Sequence, residues 1–130
     1  MADFRAMLRR ISQILQQASR VLFWPGVALI VWGELRAQPL EAAAHLWDKS
    51  LHFTAYFGLA AMAAMVLERG RGLAWALLGI VALGGLLEIL QALTGRDAEW
   101  SDMLANSLGA LSGLGVAAAL LGLVARGDGD

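Results

Sequence analysis

Asp48-Lys49-Ser50-Leu51-His52-Phe53-Thr54-Ala55-Tyr56-Phe57-Gly58-Leu59 opens an apolar segment that continues to Leu67. Asp48, His52 and Tyr56 are spaced four apart. On a helix they form one stripe about 12 Å long, entering the segment from its start. Two further apolar runs repeat the arrangement. Glu88 and Gln91 lie three apart near the end of one, and Asp102 and Asn106 lie four apart at the start of the next. Ionisable groups at membrane depth are costly, so they face a cavity, pair with each other and serve function. A hairpin path brings all three polar ends to the same side. The chain therefore reads as a small membrane protein with one polar pocket near one face.

Composition agrees. The 130 residues are 58% hydrophobic and only 16% charged, with mean hydropathy +0.61. Soluble domains average nearer ~45–50% apolar and ~25% charged. One domain is the expected count. The net charge of −1 argues against a nucleic-acid partner, which would require a basic stripe. The absence of cysteine excludes disulfides and thiolate metal sites. Neither a Walker pattern nor a dinucleotide fingerprint occurs, and no cofactor is expected.

The polar segments fix how the remainder divides. Phe4, Met7, Leu8, Ile11, Ile14, Leu15 and Ala18 recur at three and four, with Arg5, Arg9, Arg10 and Arg20 between them. Residues 1–20 thus predict a basic amphipathic helix lying in the headgroup region. Residues 21–35 form a first span, short against the roughly 20 residues a span needs. Pro25-Gly26 is the expected bend between interface and span. A cleaved signal peptide is the rival reading, with Ala42-Ala43-Ala44 imitating the cleavage site. That site lies far beyond the core, and Trp24 and Pro25 sit inside the core, so a retained span is preferred. Residues 50–67, 73–93 and 103–124 are the other spans. Short connections make the whole an all-α, four-helix antiparallel membrane bundle. Gly109 and Gly113, extended by Ala105 and Ala117, form a small-residue stripe for helix packing, within the bundle or between copies. Homo-oligomerisation is left open by it.

Arginine and lysine set the orientation. Arg5, Arg9, Arg10, Arg20, Arg69, Arg71 and Arg126 fall on one side, and Arg36, Lys49 and Arg96 on the other. Positive residues favour the cytoplasm, so both termini are expected inside, in a bacterial cytoplasmic membrane. The polar pocket then faces outward.

His52, Glu88 and Asn106 each lie four to six residues inside the outer helix end, a shared depth of ~6–9 Å. Each residue also has a plainer role. Asp48 and Asp102 suit helix N-termini, where carboxylates are favoured. Lys49 suits snorkelling to headgroups. His52 alone fits a hydrogen-bonded packing residue, Tyr56 an interfacial aromatic, and Gln91 and Asn106 helix glue. Glu88 is hardest to dismiss, because a carboxylate inside a long apolar run needs a cation, a donor or a proton. Glu34, at the very end of the first span, is expected to be solvated.

These residues resemble a known family. Asp48-Lys49-Ser50-Leu51-His52-Phe53-Thr54-Ala55-Tyr56-Phe57-Gly58-Leu59 is similar to the D-K-x-x-H-F-x-x-Y-x-x-L signature of VanZ-like membrane proteins. Glu88-Ile89-Leu90-Gln91 followed by Gly95-Arg96 resembles the family's E-x-x-Q and its following arginine. Ser101-Asp102-Met103-Leu104-Ala105-Asn106-Ser107-Leu108-Gly109 resembles its D-x-x-x-N-x-x-G element. The match spans roughly residues 45–115 in the expected order. The family takes its name from a protein linked to resistance to teicoplanin, a lipid-tailed glycopeptide. The resemblance does not by itself supply a reaction.

An outward pocket of this make-up suits the polar head of a membrane lipid or an anionic lipid-linked substrate. The expected catalytic groups are His52 and Glu88 as an acid–base pair, with Asp48 and Asp102. Lys49, Tyr56, Gln91, Arg96 and Asn106 are the expected substrate-binding groups, Arg96 meeting the anionic head. A non-catalytic scaffold or lipid-binding protein is the main alternative, with the cluster as a buried polar network. A small proton-coupled carrier is a third, although four short helices leave little room for alternating access. A divalent metal on Asp48, His52, Glu88 and Asp102 is weakly favoured without a His pair, and no metal is expected.

Overall fold

The computed structural model describes residues 2–36, 44–67, 70–95 and 99–126. Four helices occupy nearly all of them: α1 (Ala2–Leu35), α2 (Ala44–Leu67), α3 (Arg71–Leu93) and α4 (Trp100–Arg126). All four are long and apolar enough to cross a membrane. Short connections force neighbours to run antiparallel. Glu34 of α1 meets His52 near the start of α2, whereas Gly26, farther back in α1, faces Met62, farther along α2. In the same way Gly84 of α3 faces Asn106 of α4, and Gly85 faces Met103.

α1 runs as one continuous helix through Pro25, so the N-terminal amphipathic stretch and the first span belong to one element. Proline removes one backbone donor, and membrane helices tolerate this because neighbouring groups re-satisfy the freed carbonyl. At ~1.5 Å per residue its 34 residues reach roughly 51 Å, well beyond a ~30 Å hydrocarbon core. Its N-terminal apolar stripe remains exposed, including Phe4, Met7, Ile11 and Ile14.

The bundle is inside-out by the standard of a soluble protein. His52, Glu88, Gln91, Asp102 and Asn106 are buried, while Leu78, Leu86, Ile89, Leu104 and Leu111 are exposed. Lipid is the solvent such a surface requires, since hydrocarbon neither rewards burying leucine nor hydrates a carboxylate. Trp75 sits one turn into α3, and Trp100, beside Ala92, stands at the opposite end. Residues 75 to 92 rise about 26 Å, a bilayer-like spacing for two exposed tryptophans.

The tightest contact joins α2 to α4, which run parallel. A Cβ at Gly109 would collide with the Phe53 carbonyl oxygen, and one at Gly113 with the Phe57 carbonyl oxygen. The stripe of small residues is therefore used inside the bundle, with bare glycine Cα atoms against the α2 backbone. Tyr56, Leu59, Ala60, Ala63, Ile80 and Ala110 form the apolar core below the polar end. This contact holds the first turns of α2 and α4 side by side, and both carry polar residues.

Candidate functional site

The polar end is assembled from all four helices. On α2, four-residue spacing turns Asp48, His52 and Tyr56 onto one inward stripe. The stripe deepens from a half-exposed Asp48 side chain to a His52 that is 7% exposed and a fully buried Tyr56. Asp102 and Asn106 occupy the matching first turns of α4, and both are buried. Glu88 and Gln91 face inward from the last turns of α3.

His52 is the hub. Its Nδ1 lies 3.0 Å from Asn106 Oδ1 and 3.5 Å from Glu34 Oε1. Its Nε2 lies 3.8 Å from Asp48 Oδ1. Asn106 Oδ1 accepts, so Nδ1 carries the proton donated to it, and Nε2 is the ring nitrogen that faces Asp48. One donor atom each from Asp48, His52 and Asp102 lies within 4.8 Å of the others. Glu34 and Glu88 are within electrostatic reach of Tyr56, which sits below the histidine.

Supporting contacts tie this hub to the bundle. Gln91 Nε2 donates to the Glu34 backbone oxygen at 2.7 Å, joining α3 to one of the carbonyls left open at the end of α1. Gly84 lets two side chains in: a Cβ there would lie 3.1 Å from both Asn106 Nδ2 and the Tyr56 ring. At the rim, Lys49 Nζ pairs with Glu99 Oε2 at 3.0 Å. Ser101 Oγ donates to the same carboxylate oxygen at 2.8 Å.

Two clefts reach the cluster from opposite sides. One, of about 240 Å³, lies between α1 and α2; Glu34, Asp48, His52 and Gln91 line it, with Leu29, Trp32 and Leu51 on its walls. The other, of about 360 Å³, lies between α3 and α4 and reaches Glu88, with Glu99 and Trp100 at its edge.

The positions depart from the sequence expectations in several places. Glu34 is not solvated: its side chain is 9% exposed and points at His52. It lies at the end of an apolar run, and α2 and α3 fold over that end. Its outer-side position, level with the other polar groups, was the signal. Lys49 is engaged with Glu99, fifty residues away, rather than extended alone toward headgroups. His52 makes its close contacts with Glu34, Asp48 and Asn106, while Glu88, buried on α3, lines the other cleft. Arg36, not among the expected binding groups, lines the α1–α2 cleft with its guanidinium 5.0 Å from the Trp32 ring centre. Arg96 lies outside the described residues.

Among described residues, the carboxylates of Glu34, Asp48 and Asp102 gather about one imidazole, Glu88 lies within electrostatic reach of Glu34 and Tyr56, and the cations Lys49 and Arg36 stand at the edges. Such a site can hold a proton, a metal ion or a cationic group directly. It takes an anionic group only beside a bound cation or at the rim. The make-up suits general acid–base chemistry at His52.

No curated protein and no solved structure matches the chain. The family model described as VanZ/LLP1 matches residues 4–122. With four apolar spans, a buried polar end and a family match over nearly its whole length, this multi-pass membrane protein belongs to the VanZ/LLP1 family.

Proposed function

We propose that the protein binds the polar head of a lipid-linked envelope component in the α1–α2 cleft, leaving the lipid tail in the bilayer. The head is that of a wall precursor, a glycan lipid or a phospholipid. One observation carries this: the cleft has a polar floor of Glu34, Asp48, His52 and Gln91 between lipid-facing walls at Leu29, Trp32 and Leu51. A head that enters sideways keeps its tail in hydrocarbon, so the tail need not be desolvated. The arginine distribution supports a reading with both termini in the cytoplasm of a bacterium and this cleft on the outer side of its membrane. There His52 meets the head directly, with Glu88, which opens on the α3–α4 side, as its acid–base partner across the cluster; Asp48 and Asp102 tune the histidine, and Gln91 and Asn106 fix the pose. Tyr56 forms the floor, and Arg36, Lys49 and Arg96 meet the anionic part of the head. An effect on lipoglycopeptide susceptibility follows if the head belongs to a wall precursor.

The test compares Glu88→Gln, His52→Ala and their combination in cells, reading envelope-lipid composition and glycopeptide susceptibility beside protein abundance. The proposal expects lost phenotype at near-normal abundance. Full activity in a well-expressed double variant eliminates acid–base chemistry at these residues. A second reading has its own support. The His52–Asn106 and Gln91–Glu34 bonds tie together α1, α2, α3 and α4, as a purely structural network would. That reading expects phenotype to fall only in proportion to folded protein.

A further inference from the structure

We propose that Asp48, His52 and Asp102 form a binding site for a divalent metal ion of the Mn²⁺ or Zn²⁺ kind. Three lines of geometry converge on it. First, the ligand atoms are gathered: one from each residue lies within 4.8 Å of the others, and His52 and Asp102 are buried. Tetrahedral ligands at ~2.1 Å from a metal stand about 3.4 Å apart. The Nε2–Asp48 Oδ1 separation of 3.8 Å is within a small side-chain rotation of that.

Second, the histidine is oriented as a ligand. Asn106 Oδ1 takes the Nδ1 proton at 3.0 Å. Metal-binding histidines are held this way, the ring nitrogen away from the ion donating to an acceptor that is not itself a ligand. With Nδ1 as the donor, Nε2 is the atom left to ligate, and it faces Asp48 Oδ1. A cation between them is held by both.

Third, Asn106 Nδ2, fully shielded from solvent on a residue 2% exposed, has no hydrogen-bond partner, whereas the neighbouring Tyr56 hydroxyl has the Glu34 carboxylate in reach. Asn106 Nδ2 borders the space opened by Gly84. A buried donor of this kind is rare unless an oxygen meets it. A water or head-group oxygen behind His52 supplies one. One imidazole with two carboxylates is a mixed set suited to Mn²⁺ or Zn²⁺, since imidazole favours the later ions and carboxylate the harder ones.

The ion's use rests on the head-binding proposed above: a site rich in carboxylates accepts a phosphate head in the α1–α2 cleft once a cation bridges them. The ion site itself is tested in a single zwitterionic phospholipid, whose background Mn²⁺ binding is read from empty nanodiscs. Purified protein in phosphatidylcholine nanodiscs is titrated with Mn²⁺ and followed by electron paramagnetic resonance. One saturable Mn²⁺ per chain is expected, with a nitrogen coupling in the spin-echo modulation from a single imidazole, and Zn²⁺ displaces it at lower concentration. Asn106→Ala, which removes only the orienting acceptor, weakens Mn²⁺ binding by roughly 10–100-fold. Asp102→Asn weakens it at least as much. No binding above empty nanodiscs, or bound Mn²⁺ without nitrogen coupling, overturns the proposal on the wild-type protein alone, whatever the variants do. Native mass spectrometry with envelope lipids then separates the two proposals. Lipid retained without metal keeps head binding and removes the metal site. Metal bound without any retained lipid does the reverse.

Discussion

Gly109→Ala probes the contact on which the site depends. A Cβ at Gly109 would lie 3.0 Å from both the carbonyl carbon and the Cα of Phe53, with the carbonyl oxygen nearer still. Ordinary contact begins at 3.4 Å, so α4 must withdraw from α2 by at least about 0.4 Å, and by more to clear the oxygen. Backbone cannot rotate aside as a flexible side chain can. Overpacking of this sort costs typically ~1–3 kcal/mol. The same shift stretches the His52–Asn106 bond, 3.0 Å at rest, toward the distance at which a hydrogen bond is no longer one. The assay is unfolding in mixed detergent micelles, followed by helicity, with Gly115→Ala as the comparison. Nothing lies within 4 Å of a Cβ at Gly115, so alanine there gains helix propensity of up to ~1 kcal/mol at no steric cost. Gly109→Ala should unfold at lower denaturant, and Gly115→Ala at equal or higher. Equal stability of the two variants would refute parallel α2–α4 packing through this stripe.

Further outcomes follow from the same contacts. Tyr56→Phe removes a buried hydroxyl that lies in reach of the Glu34 carboxylate; lipid-free stability should fall by ~1–3 kcal/mol, because a buried carboxylate loses a donor, and lipid retention should fall as well, each measured on purified protein. The Lys49–Glu99 pair is a third exposed, so a double-mutant cycle on unfolding should return under ~1 kcal/mol. Gln91→Leu frees the Glu34 carbonyl from its tie to α3 and should cost about 1–3 kcal/mol in the same unfolding assay. Single cysteines at Ala43 and Ala98 should react with an impermeant thiol reagent in intact cells. Reaction at Gly70 instead inverts the orientation.

Much of the fold could be read from the sequence because lipid imposes a simple rule: each span must satisfy its own backbone, so long apolar runs become helices. The inward turn of His52, Tyr56, Glu88, Gln91, Asp102 and Asn106 was equally legible. Spacings of three and four put each group on one face, and polar groups avoid hydrocarbon. What stayed hidden depended on pairing across the chain. Glu34 ends its run, and a terminal glutamate has the same local sequence whether water or a histidine of the next helix faces it. Lys49 and Glu99 meet only because α2 and α4 run parallel, an arrangement set by bulk removed at Gly109 and Gly113. The small-residue stripe announced a close approach but not its partner, which is α2 of the same chain. Pro25-Gly26 marked an expected bend, and α1 stays helical through it.

Whether the polar end of this bundle holds a lipid head is read out by native mass spectrometry of protein extracted gently from its own membrane. One lipid class should remain bound to the wild-type protein at one molecule per chain and be lost from the folded Glu88→Gln, His52→Ala variant. The same lipids in the same amounts on both proteins, or none on either, would contradict it.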